Sequence, residues 1–188
     1  MQAFLISTGI VALAEMGDKT QLLALVLAAR FKKPSPIVLG IFVATVLNHA
    51  MAGALGAWVT TQISPQTLRY ILGASFIVMA VWMLVPDKLD EDADSKKPPL
   101  TALGVFGTTT ALFFLAEMGD KTQIATVMLA ARFDAYIAVV AGTTLGMMLA
   151  NAPVVWLGER MTRLVPLRVV HVVSAAIFLG LGLWALLS

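Results

Sequence analysis

The string LAEMGDKTQ at 13–21 returns at 115–123, displaced by 102 residues. AARF at 28–31 returns at 130–133 and Trp82 at Trp184 with the same displacement, and Asn48 matches Asn151 within one residue. Apolar segments resemble one another by composition alone, but a shared nine-residue string containing charges does not arise that way. The chain is therefore two copies of one unit, and any fold proposed for one copy must serve the other.

Each copy holds three apolar runs. The six lie at about 4–29, 36–60, 68–86, 104–131, 135–158 and 168–187, each close to the roughly 20 residues that span a bilayer as helix. Residues are 59% hydrophobic and 13% charged, against about 25% charged in soluble domains, so lipid must cover much of the surface. The runs are continuously apolar and too long for barrel strands, and none has the broad polar face of a soluble bundle helix. The expected fold is all-α integral membrane: six transmembrane helices as an inverted 3+3 repeat. Residues 1–14 lack the basic start of a cleavable signal, so the first run is expected to be retained.

The inversion follows from the odd number of spans, which makes the second copy enter from the opposite side. The expected organisation is a first three-helix repeat at 1–86, an acidic linker at 87–100 and a second repeat at 101–188. Arg30, Lys32, Lys33, Lys88, Lys96, Lys97, Arg160, Arg163 and Arg168 fall on one side, and only Arg69 and Arg132 on the other. The positive-inside rule puts the larger group and the linker in the cytoplasm and both termini outside, in a multi-pass protein of the inner (plasma) membrane.

Inside the first and fourth runs stand four carboxylates: Glu15, Asp18, Glu117 and Asp120. Each ionised carboxylate at mid-depth costs at least about 2.5–3.5 kcal/mol, so such residues need partners and mark a function. On continuous helices, Glu15 and Asp18 would share a face, as would Glu117 and Asp120, with Gln21 and Gln123 extending those faces. Gly17 and Gly119 would remove bulk beside the acids. Lys19 and Lys121 fall four residues after Glu15 and Glu117, the favourable direction for an ion pair along a helix. Four acids and two lysines leave −4 + 2 = −2, which one divalent cation or two protons would neutralise. The oxygen donors suit Mn²⁺, Ca²⁺ or Mg²⁺ and not Cu(I). The bland alternative is a pair of interhelical salt bridges.

Asn48 and Asn151 could complete a coordination shell or bond between helices. Thr20 and Thr122 could contact the ion or bond to their own helix. Met16 and Met118 project about 100° away from the glutamates and read as packing. His49 and His171 lack repeat counterparts and read as satisfied core histidines. The linker Asp90-Glu91-Asp92-Ala93-Asp94 begins like a calcium loop but has Ser95 and Thr101 where glycine and glutamate belong, and reads as a solvated loop.

The strings EMGDKTQ at 15–21 and 117–123 resemble the E-x-G-D-[KR]-[TS] signature of the GDT-type divalent cation transporter family, itself similar to the lysine-exporter-like superfamily. The resemblance covers essentially the whole chain and neither signature departs from the pattern. It implies Mn²⁺ and Ca²⁺ as substrates, with exchange for protons in several members, and the leading expectation is a secondary-active exporter of Mn²⁺. It carries the acidic role to Glu15, Asp18, Glu117 and Asp120, the basic role to Lys19 and Lys121, and the hydroxyl role to Thr20 and Thr122. A Ca²⁺/H⁺ exchanger of the same architecture, or a non-transporting membrane metal-binding protein, would use the same ligands.

Other classes find little support. No H-E-x-x-H motif, nucleophile elbow or cysteine points to an enzyme, and no phosphate-binding loop points to ATP-driven transport. The net charge of +2 is too small for nucleic acid. The expected partners are the divalent cation, protons as counter-ion and the lipid bilayer; no cofactor is expected, and the sequence sets no oligomeric state.

Overall fold

The computed structural model describes residues 1–82, 84, 101–157 and 167–187. Among these there are eight helices and no strand: α1 (Gln2–Glu15), α2 (Lys19–Phe31), α3 (Pro34–Gln62), α4 (Pro65–Trp82), α5 (Ala102–Glu117), α6 (Lys121–Phe133), α7 (Tyr136–Leu157) and α8 (Leu167–Leu187). The acidic linker lies outside the described residues. So do Lys88, Lys96, Lys97, Arg160 and Arg163.

The helices α3 and α7 are long and apolar enough to cross a bilayer alone, and α5 with α6 would make a third span bent by 71°. The first and fourth expected spans are thus not single helices, because each breaks inside its EMGD string. Large apolar side chains such as Leu39, Phe42, Leu47, Leu55 and Trp58 point outward from α3, as expected for a membrane protein.

The sequence repeat recurs as reciprocal packing. The helix α1 packs on α7, and its counterpart α5 packs on α3. Ser7 abuts Gly142, while Thr109 abuts Gly40, the same pair exchanged by 102 residues. A β-carbon added at Gly40 would meet Thr109 Cβ at 2.8 Å, and one at Gly142 would meet Phe4 O at 2.5 Å, so glycine is what lets these helices approach. Phe76 of α4 packs against Phe178 of α8, ring centroids 6.0 Å apart, again 102 residues away. The contacts are thus reciprocal: where residue i of one copy meets j of the other, their counterparts meet as well.

One part of the packing is not reciprocal. The helix α6 buries eight residues, from Lys121 to Ala131, whereas α2 buries four, Thr20, Gln21, Ala24 and Leu27. Gly56 of α3 lies directly against the Val127 carbonyl of α6. Val26 is exposed where its counterpart Met128 is buried.

Candidate cation site at the two helix breaks

Met16 has φ −65° and ψ 114°, Gly17 has φ 82°, and the Asp18 N–H donates to Glu15 O at 3.1 Å. Those are the marks of a type II turn, whose third position requires positive φ and so favours glycine. The second copy repeats it, with Met118 at −63° and 119°, Gly119 at 74°, and Asp120 N–H donating to Glu117 O at 3.1 Å. The glycine is therefore needed for backbone conformation. At Gly119 it is not needed for space, since an added β-carbon would meet nothing within 4 Å.

The turn redistributes the side chains. Glu15 and Glu117 close α1 and α5, while Asp18 and Asp120 stand at the N-caps of α2 and α6. Expected helix-face pairs thus become pairs across a break. Each break brings the carbonyl end of one helix and the N–H end of the next to the same place.

The lysines also differ from expectation. Neither follows its own glutamate along a helix; each reaches the other copy. Lys121 Nζ lies 3.2 Å from Asp18 Oδ1, and Lys19 Nζ lies 2.8 Å from Asp120 Oδ1. The two links are reciprocal in pairing and unequal in setting: the Lys121 side chain is 3% exposed and that of Lys19 28%.

Glu15 and Glu117 are fully buried. Thr20 donates to Glu15 Oε2 at 2.6 Å and Thr122 to Glu117 Oε2 at 2.8 Å, so each threonine ties the second half-helix to the acid ending the first. Asn151 Nδ2 lies 3.4 Å from Glu15 Oε2 and also donates to Met147 O at 3.2 Å. Asn48 donates to Phe114 O at 3.1 Å, one turn before Glu117. Gln21 and Gln123 turn back onto the breaks. Their Oε1 atoms accept the N–H groups of Gly17 and Gly119 at 2.9 and 2.8 Å, bracing the turns, and Gln21 Nε2 donates to Ala150 O at 3.1 Å. Met118 is exposed rather than packed.

Oxygens of Glu15, Asp18 and Asp120 lie within 4.8 Å of one another. Oxygens on opposite sides of one Mn²⁺ or Ca²⁺ stand about 4–5 Å apart, so the cluster has the dimensions of a single-ion site. Glu117 lies outside that trio. Glu15 Oε1, Glu117 Oε1, Asp120 Oδ2, Asn48 Oδ1 and Asn151 Oδ1 are buried acceptors that receive no hydrogen bond among the described residues. Buried acceptors left open around an excess of negative charge are what a hard cation would satisfy.

The reading of His49 as a satisfied core residue fails. His49 is buried, and neither ring nitrogen has a hydrogen-bond partner among the described residues. No periodicity flagged it, because it has no repeat counterpart. The His171 side chain lies outside those described. The buried hydroxyls of Ser7 and Thr109 were also missed, although their 102-residue spacing was legible.

These features are those of a polytopic cation transporter built on a duplicated acidic motif. Residues 3–91 and 105–188 match the model of the family described as divalent cation/proton antiporter GDT1, and the chain belongs to that family. A Vibrio cholerae protein named "Putative manganese exporter" is 48% identical over 184 residues, covering 97% of this chain and 90% of that one. GDT1-like protein 5 of Arabidopsis thaliana is 26% identical over 223 residues, covering 100% of this chain and 96% of that one. GDT1-like protein 3 of rice, Oryza sativa subsp. indica, is 27% identical over 200 residues, covering 95% and 71%. No solved structure matches.

Proposed function

We propose that this chain exports Mn²⁺ from the cytoplasm in exchange for protons, through one site assembled from both EMGDKT motifs. The observation that carries the reading is the convergence of Glu15 and Asp18 from one copy with Asp120 from the other within 4.8 Å. Glu117 supplies the fourth carboxylate, and Asn48 and Asn151 supply amide oxygens. Lys19 and Lys121 offset part of the charge, Thr20 and Thr122 orient the glutamates, and Gln21 and Gln123 hold the breaks open. The remaining −2 is matched by one divalent cation or by two protons, so cargo and counter-ion alternate on the same oxygens.

The architecture that serves this is an inverted repeat of three spans each, 1–86 and 101–188, joined by the linker 87–100. The reciprocal contacts of Ser7 with Gly142 and Thr109 with Gly40 support it. Broken helices that end at mid-depth are the usual way such repeats present backbone dipoles to an ion. The protein resides in the inner (plasma) membrane with both termini outside, following the nine-to-two distribution of basic residues. A terminal reporter active only in the cytoplasm should stay silent; a signal from it overturns the orientation.

Preference for manganese rests on the relative named for that ion. The test is uptake of Mn²⁺ and Ca²⁺ into proteoliposomes, each with and without a pH gradient. Gradient-stimulated Mn²⁺ flux exceeding Ca²⁺ flux is expected. Faster Ca²⁺ flux would assign the site to calcium exchange, and no flux of either ion would leave only binding.

A further inference from the structure

The site has a feature that breaks its two-fold character. Asn48 and Asn151 correspond, but the residue after Asn48 is His49, and the residue after Asn151 is Ala152. The imidazole is fully buried with both nitrogens unpartnered among the described residues. An imidazole N–H or acceptor left without a partner in the interior costs on the order of 1–3 kcal/mol, which a purely structural residue would avoid.

Its place follows from the helix register. His49 is four residues before Gly53 and seven before Gly56, so all three share one face of α3. That face is covered by α7 at Gly53, next to Val140 and Tyr136, and by α6 at Gly56, next to Val127 and Ala130. Lower on α3, Gly40 meets Phe106 and Thr109, and Asn48 meets Phe114, all of α5. Thus α3 runs beside α5 up to Asn48 and beside α6 at Gly56. The break between α5 and α6, at Met118–Gly119, falls between those levels. His49 follows Asn48, whose amide meets Phe114 O near the end of α5, and shares the α3 face that Gly53 and Gly56 turn to α7 and α6; like Glu117, it lies outside the trio of Glu15, Asp18 and Asp120.

We propose that His49 contributes an imidazole nitrogen to the transported cation on the Glu117–Asn48 side, and thereby favours Mn²⁺ over Ca²⁺. Imidazole is a good donor to transition metals, whereas Ca²⁺ takes oxygen ligands almost exclusively. The opposite half, with Ala152, offers oxygens alone. The inference rests on the carboxylate-site reading above and adds a source of selectivity that the carboxylates lack.

The test is pulsed electron paramagnetic resonance of Mn²⁺ bound to the purified full-length chain, with ¹⁴N- and ¹⁵N-histidine labelling, alongside Mn²⁺ and Ca²⁺ transport. A histidine-nitrogen coupling is expected in the wild type, retained in His171→Gln and lost in His49→Gln. Mn²⁺ affinity should fall at least about tenfold in His49→Gln, and Ca²⁺ affinity much less. Bound Mn²⁺ without any histidine coupling in the wild type would overturn the proposal, and that result needs no variant to fold. So would a His49→Leu protein with an unchanged Mn²⁺ to Ca²⁺ ratio. If the wild type neither binds nor moves Mn²⁺, the carboxylate-site reading falls as well, which separates the two failures.

Discussion

The two crossed ion pairs allow a comparison that sequence alone would call symmetric. Asp18→Asn and Asp120→Asn are the same chemical change at equivalent positions. Asp18 pairs with Lys121, whose side chain is 3% exposed, and Asp120 pairs with Lys19, which is 28% exposed. Removing one partner of a fully buried pair costs about 3–5 kcal/mol, because the remaining charge keeps its desolvation penalty. A pair open to water is worth about 0–1 kcal/mol, and Lys19 sits between these limits, at about 1–2 kcal/mol. Either substitution removes one carboxylate from the same Glu15–Asp18–Asp120 cluster, so relief of that repulsion largely cancels from the difference. Asp18→Asn should therefore be the more destabilising by about 2 kcal/mol, or about 4–8 °C in Tm for a chain of this size. The assay is thermal unfolding of purified variants in detergent without divalent cations. The double variant Asp18→Asn/Lys121→Gln should recover much of the loss, since it removes both buried charges. Equal melting temperatures, or a larger loss in Asp120→Asn, would refute the inequality of the two pairs.

Two further outcomes follow from the turns and the carboxylates. Gly119→Ala should lower stability by about 1–2 kcal/mol through its left-handed backbone alone, since space is open there, and Gly119→Asn should recover part of it in the same melts. Glu15→Gln, Asp18→Asn, Glu117→Gln and Asp120→Asn should each abolish or severely reduce Mn²⁺ flux in proteoliposomes. Wild-type Mn²⁺ affinity should weaken as pH falls from about 8 to 5, because protons compete for the ligand oxygens; a flat profile together with four active variants would leave only salt bridges.

Much of this candidate site is legible in the sequence, because the repeat names its own residues. Glu15, Asp18, Glu117, Asp120, Asn48 and Asn151 were all singled out from pattern. What the pattern misjudged was the path of the backbone. A run apolar from 4 to 29 reads as one helix, and helical spacing then puts Glu15 beside Asp18 and Lys19 beneath Glu15. A single glycine at φ 82° cancels each of those inferences. It turns Asp18 into an N-cap, frees Lys19 for the other copy, and lets Gln21 reach back to brace Gly17. Periodicity cannot register such a break, because the residues on either side remain apolar and helix-forming. His49 escaped for the opposite reason: lacking a counterpart, it carried no repeat signal, and only its unpartnered burial marks it.

The departure from reciprocal packing bears on the proposed transport, because a site between two repeats inverted as proposed must face one side at a time. The half-helix α6 is held against α3, with the Val127 carbonyl directly over Gly56, whereas α2 is loosely covered. Given the proposed orientation, α6 leads outward from the site and α2 leads to the cytoplasm. The described state is then closed outside and looser inside, and the opposite state requires α6 to leave α3. Gly56→Ala acts on this contact directly. Its β-carbon would overlap backbone, which cannot swing aside like a side chain, so the closed state should lose about 1–3 kcal/mol. Every 1.4 kcal/mol shifts a two-state equilibrium tenfold, so the population with α6 released should rise roughly 5- to 150-fold. The chain contains no cysteine, so a single Met128→Cys reports on α6 without background. Met128 is 3% exposed, and its alkylation rate should be low in the otherwise native chain and rise with Gly56→Ala. Val26→Cys on α2, already exposed, should react at a rate that Gly56→Ala leaves unchanged. If alkylation at 128 were unchanged while Gly56→Ala still folded, α6 would not be the moving gate, and the asymmetry would be a fixed property of the fold.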